Sequence, residues 1–247
     1  MDDLTADNYT VFNAISSLAA DLWTLSMNID GKPNDPKMFS VMLFHRLFSN
    51  HKAYTLLANA ECNLEASIVL RSGVETAICL AAIRNMGDDF VTLLLHDAVS
   101  TLQGQISSQR AAGFNEGIAE SEMELRRLQS KLPKGVKSKR LDWACLAKNN
   151  GAHNLYVMYK MLSGQSSHVT GFSVFREVTN DAMDDVKSAM LHQENNLHTM
   201  MMAGITLQGA RIHAAMIGAS AIEHRSLALL AQMNDLSEIT VASGREE

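Results

Sequence analysis

Two groups of side chains in this sequence have the types and the spacing to do chemistry. The first is in VLRSGVETAICL, where Arg71 and Glu75 lie four residues apart. On a helix they share a face with Leu64, Ile68, Ile78 and Ala82. Ionised groups on so apolar a face require partners, because an unpaired buried charge costs several kcal/mol. They read either as an internal ion pair that orients neighbouring helices or as a polar centre at the bottom of a pocket. The second group is in LYVMYKMLSGQSSHVTGFS. Tyr159 and Ser163 share a helix face and His168 follows in a loop. A histidine that titrates near neutrality serves as general acid or base, and a hydroxyl or arginine beside it positions a phosphate. The plainer alternative has Ser163 and Ser166 satisfying backbone groups at a helix end, with His168 as polar surface.

Other candidates are weaker. His96-Asp97, in LLLHDAVS, resembles the doublet of the HD-type metal-dependent phosphohydrolases, in which adjacent His and Asp ligate one metal. His51 upstream and Asp181 or Asp184 downstream would complete the ligand set. The Gly-Lys that often follows that doublet is replaced by Ala98-Val99-Ser100. The segment KLPKGVKSKR carries Lys134, Lys137, Lys139 and Arg140 as candidate phosphate contacts, with Trp143 nearby to stack on a base. A solvated linker explains the same residues. HExxH, the P-loop, the Rossmann glycines and G-x-S-x-G are all absent from the sequence. No cofactor and no metal are expected.

The elements that hold these residues read as helices throughout. Of 247 residues, 47 % are hydrophobic and 19 % charged, enough for a large core. Three Pro and 14 Gly leave little punctuation for a many-stranded fold. Apolar spacings of three and four predict helices over 7–29, 36–59, 61–86, 88–112 and 115–132. Asp35 caps the second and Pro36 opens it. The 61–86 helix is apolar on almost every side and belongs in the centre of the core. Shorter helices follow at 141–149 and 152–163, then a loop at 163–175. The 180–232 pattern is too long for one ordinary helix, so a break is expected near Asn195-Asn196. Ala203, Ala210, Ala214, Gly218 and Ala221 form a stripe that permits close helix approach, within the core or across a two-fold axis. The fold class is therefore all-α: one bundle of seven to nine helices over residues 1–235, with a polar, disordered tail at 236–247.

Charge and cysteines bound the setting. Twenty-one Lys+Arg against 27 Asp+Glu give a net charge of −6, which excludes a general electrostatic binder of DNA. Three scattered cysteines, Cys62, Cys79 and Cys145, suggest neither a disulfide framework nor a zinc knuckle. The polar N-terminus is unlike a signal peptide, and the apolar window 200–222 is interrupted by Gln208, Arg211 and His213. A cytoplasmic protein without membrane contact is expected.

A central helix with R-x-x-x-E, followed far downstream by Y-x-x-x-S and then a histidine, resembles the bacterial helical family DUF5677, over roughly residues 38–225. The matching residues are Arg71, Glu75, Tyr159, Ser163 and His168. That family is in turn similar to the HEPN group of helical nucleases and defence proteins. The resemblance implies a stress or phage-defence factor acting on RNA or a nucleotide. Arg71 would bind phosphate, Glu75 would hold Arg71, His168 would be the acid–base group, and Tyr159 and Ser163 would orient the substrate. HEPN nucleases carry R-x(4–6)-H. Here Arg46 and His51 form one such match, which chance alone supplies, and it lies early in the chain. The alternatives are a non-catalytic homodimer or partner-binding module that uses the same residues as a structural core, and the HD-type phosphohydrolase.

Overall fold

A computed structural model describes residues 6–31, 35–132, 138–167 and 184–243. Among these the chain forms nine α-helices and one π-helical turn, with no strand. The all-α expectation holds. The helices are α1 (Ala6–Ser26), α2 (Pro36–Asn59), α3 (Asn63–Met86), α4 (Asp88–Ala111), α5 (Ile118–Gln129), α6 (Trp143–Asn149), α7 (His153–Leu162), α8 (Asp184–Ile217) and α9 (Ser220–Ser243).

Local chemistry sets several of these boundaries. The Asp35 carboxylate accepts the Lys37 N–H at 2.8 Å and Pro36 takes the first helical position, as the sequence predicts. Asp142 caps α6 in the same way through the Cys145 N–H at 3.0 Å. Gly87 ends α3 and opens α4 in a single residue, at φ +55°.

α3 is the central helix. It packs against α2, α7 and α8, with further contacts to α4 and α6. Leu70, Val74, Ile78, Leu80, Ala82 and Ile83 have no exposed surface. By length and composition α3 alone among the described helices could cross a membrane, but 67 % of that apolar window is buried inside the fold. The face shared by Arg71 and Glu75 is not apolar and covered throughout, however. Ile78 and Ala82 are sealed, whereas Leu64 and Ile68 are 56 % and 42 % exposed. The N-terminal part of that face therefore emerges from the core just before Arg71.

Two expectations are corrected. Residues 163–167, read as the start of a loop, form a π-helical turn that continues α7. The long C-terminal pattern does not break at Asn195-Asn196. α8 runs through both asparagines, supported by packing on α2 and α3, and ends at Gly218. Gly218 has φ +76°, its N–H donates to Ala215 O, and the Ala219 N–H reaches back to Ala214 O at 2.8 Å. This pair of bonds closes a Schellman stop, which glycine permits. α9 then continues to Ser243. Ala203, Ala210 and Ala214 are buried within the bundle, so that part of the small-residue stripe serves close packing inside one chain.

Candidate functional site

Arg71 gathers the predicted residues. On α3, one turn separates it from Glu75, and Arg71 Nη2 lies 3.1 Å from Glu75 Oε1. From the end of α7 and the π turn come Tyr159 and Ser163. Arg71 Nε donates to Ser163 Oγ at 2.8 Å and Nη2 donates to the Tyr159 hydroxyl at 3.2 Å. The guanidinium also lies over the Tyr159 ring, 4.8 Å from its centroid. Ser163 donates its own proton to Tyr159 O at 2.6 Å, which leaves its oxygen lone pairs for Arg71. Four of the five residues singled out in the sequence thus share one site. His168, the fifth, lies outside the described residues.

The site is partly open. Arg71 and Glu75 side chains retain 19 % and 21 % exposure, so it is not a sealed ion pair. The named contacts use Nε and Nη2. Nη1 has no acceptor among the described residues, and it is not a buried atom left unpaired. One edge of a fixed guanidinium therefore faces outward. Burial pushes the Glu75 carboxyl above its usual range, opposed by the charges of Arg71 and Arg46. Beneath it, Cys79 is buried and its thiol is pushed up to about 12, first by burial and then by the Glu75 charge. Its position gives it no nucleophilic role at neutral pH.

Aromatic rings extend from the guanidinium. Tyr159 contacts the rings of Trp143 of α6 and Tyr156 of α7, with centroids 6.0 and 5.9 Å away. Asp97 accepts the Leu141 N–H at 2.8 Å and so fixes the segment that leads into α6.

The basic segment behaves differently. Lys134 and Lys137 lie outside the described residues. Lys139 and Arg140 are exposed, and Arg140 reaches over Gly104 of α4, beside Ser138, which bonds Gln103 at 2.8 Å. These two residues make no described contact with the Arg71 site.

Among the described residues the HD-type metal set does not assemble. His51 is fully buried, with Nε2 3.2 Å from Ser16 Oγ and Nδ1 3.2 Å from Thr206 Oγ1, and Phe12 stacks on its ring. Asp97 is engaged with the backbone, and no group of three His, Cys, Asp or Glu among the described residues could hold a metal ion. Asp181 lies outside the described residues, and so does the side chain of Asp184. The Arg46–His51 match also separates: Arg46 is exposed on α2 while His51 points into the core.

Sequence reasoning weighed Arg46 only as a partner of His51, and it missed Asn50 and Ser72. From α2, Arg46 Nη2 donates to Ser72 Oγ of α3 at 3.4 Å and Asn50 Nδ2 donates to the same oxygen at 3.2 Å, and the Arg46 charge acts on Glu75. The only signal was the i,i+4 spacing of Arg46 and Asn50 opposite the R-S pair at 71–72.

The model of a family of unknown function, DUF5677, matches residues 37–185. The chain belongs to the DUF5677 family. The matched region holds Arg71, Glu75, Tyr159 and Ser163 together with Arg46, Asn50 and Ser72. No curated protein and no solved structure matches the chain.

Proposed function

We propose that this DUF5677 protein binds a phosphate-bearing ligand, RNA or a nucleotide, at the Arg71 site. The observation that carries the reading is the half-used guanidinium. Ser163, Tyr159 and Glu75 fix Nε and Nη2, while Nη1 is left to an outside acceptor. A pre-oriented planar fork suits a phosphate oxygen, because little side-chain entropy remains to be lost on binding. The neighbouring rings of Tyr159, Trp143 and Tyr156 suit a base attached to that phosphate. His168 is the acid–base group in a catalytic version of this reading. The resemblance of the DUF5677 family to HEPN-type proteins is what suggests a role in bacterial stress response or phage defence in the cytoplasm.

The test has two arms. Fluorescence anisotropy with labelled single-stranded RNA compares wild type, Arg71→Ala and Tyr159→Phe, each checked for native helicity by circular dichroism. Arg71→Ala is expected to weaken binding at least about tenfold, the worth of one charge-assisted hydrogen bond. Equal binding by wild type and Arg71→Ala refutes the reading. Induced expression in a bacterial host, with growth and total RNA integrity followed for wild type and Arg71→Ala/His168→Ala, then separates cleavage from binding. A second reading, a non-catalytic partner-binding module, is favoured by the fact that every named contact of Arg71 is internal. It predicts that Arg71→Ala loses stability while RNA binding is absent from wild type as well.

A further inference from the structure

Donors outnumber acceptors beside Arg71. Arg46 and Asn50 stand one turn apart on α2, and both direct a side-chain N–H at Ser72 Oγ, at 3.4 and 3.2 Å. A hydroxyl has two lone pairs and one proton. These two donors occupy the lone pairs. The Ser72 proton has no acceptor among the described residues, unlike those of Thr76 and Ser163, which go to the carbonyl four residues back. Arg46 is exposed, and beyond Ser72 it has no described hydrogen-bond acceptor. Glu75 stands within the fields of both arginines, but its carboxylate already pairs with Arg71. Asp97, whose charge reaches Cys79, bonds the Leu141 N–H and makes no described ion pair with either arginine. One carboxylate between two guanidiniums, with a free hydroxyl proton alongside, leaves a local positive excess on a protein of net charge −6.

We infer that Arg46, Asn50 and Ser72 form a second anion subsite, continuous with Arg71 across Glu75, and that the ligand carries two phosphoryl groups, one for each arginine. This rests on the reading that Arg71 anchors a phosphate, and it adds what the ligand must look like. Glu75 repels a lone anion placed midway and so favours two separate anionic groups. The shared chemistry is a pair of linked phosphates. The phosphate chain of a nucleotide and two successive phosphates of an RNA strand both supply it.

Isothermal titration of the full chain at low salt tests this with three probes: inorganic phosphate, pyrophosphate and a five-nucleotide RNA. At least one two-phosphate probe is expected to bind about tenfold or more tightly than phosphate. Arg46→Ala and Ser72→Ala should each reduce that advantage, while phosphate affinity stays within about twofold of wild type. An advantage confined to pyrophosphate assigns the compact chain, and one confined to RNA assigns the strand; either supports the second subsite. If all probes bind alike and Arg46→Ala is silent while Arg71→Ala abolishes binding, the second subsite is refuted and the Arg71 reading stands. If no probe binds wild type, both fall together.

Discussion

Acidification should unfold this protein through two buried histidines. His51 of α2 lies between Ser16 of α1 and Thr206 of α8, and His213 of α8 lies between Ser26 of α1 and Ser40 of α2. Both side chains have no exposed surface, and burial lowers each from 6.5 to about 4. The neutral imidazole is thus the folded form. The stability it contributes is fully present above the unfolded pKa of 6.5 and is lost as pH falls toward 4. The fall from 6.5 to about 4, at about 1.36 kcal/mol per pH unit, gives about 3 kcal/mol per histidine as a ceiling. At pH 4.5 most of that is already gone for each, so the pair removes on the order of 5 kcal/mol. That is comparable with the whole stability of many domains. The ceiling is lowered by one feature of the site. All four hydroxyls also donate to a nearby carbonyl, so one of each pair must turn its proton to the ring to bond a neutral imidazole fully.

Urea unfolding followed by circular dichroism between pH 7.5 and 4.5 measures the loss. Carboxylates titrate in the same range, so wild type is compared with His51→Gln/His213→Gln. The double variant starts less stable, because it gives up fitted packing, but its stability should fall less steeply below pH 6.5. The difference between the two proteins should therefore shrink by several kcal/mol as pH drops. A difference that stays constant from pH 7.5 to 4.5 refutes the argument.

Other consequences are equally direct. In α8, a Cβ at Gly209 would overlap Leu47 and approach Leu80 Cδ1 at 3.0 Å, whereas at Gly204 the nearest atom is Met233 Cε at 4.0 Å. Urea melts should therefore show Gly209→Ala destabilised by about 1–2 kcal/mol, from overpacking less the helix gain, and Gly204→Ala stabilised by about 0.5–1 kcal/mol. Thiol titration with a disulfide reagent at pH 8 should label exposed Cys145 at once and leave Cys79 silent until the chain is denatured. Tyr159→Phe removes one donor–acceptor pair from Arg71 and should cost about 1 kcal/mol of stability while preserving the ring stack in near-ultraviolet dichroism.

Much of the fold could be read from periodicity because nearly every element is a helix with a strong apolar pattern. Asp35-Pro36 was legible as a start signal, and the all-round apolar character of 61–86 as the core helix. What failed was the stop of α8. Two asparagines looked like a break, but a helix packed on α2 and α3 passes through them, and the decisive signal was one glycine able to adopt positive φ. The site was legible where charge met an apolar helix: Arg71 and Glu75 were conspicuous because a core helix should not carry them. Tyr159 and Ser163 were legible as two hydroxyls four residues apart on one helix face, and the family pattern matched them. The grouping of Arg46 with Asn50 and Ser72 was not visible, because polar residues on a half-exposed helix are ordinary until the partner helix is placed beside them. The hydroxyl partners of the buried histidines were not visible for a similar reason. Nothing in the spacing of His51 and His213 shows that hydroxyls from α1, α2 and α8 will meet their rings.

One device links the core to the site. Ser16, Ser26, Ser163 and Thr206 each donate to the carbonyl four residues back and offer the oxygen to a nitrogen from another helix. Such a hydroxyl fits a cation well, since it presents only lone pairs. Arg71 is therefore the natural occupant beside Ser163, and the imidazoles of His51 and His213 are less completely matched. Ser72 reverses the arrangement. Its lone pairs are filled by Arg46 and Asn50, and its proton is what remains. Ser163→Ala and Ser72→Ala remove chemically identical groups one helix apart, yet they should fail differently. The first loosens Arg71 and weakens every phosphate-bearing ligand. The second leaves Arg71 in place and weakens only ligands that reach a second anion. If both variants lose affinity for inorganic phosphate to the same degree, the hydroxyl protons do not direct recognition, and the division of the site into two subsites is wrong.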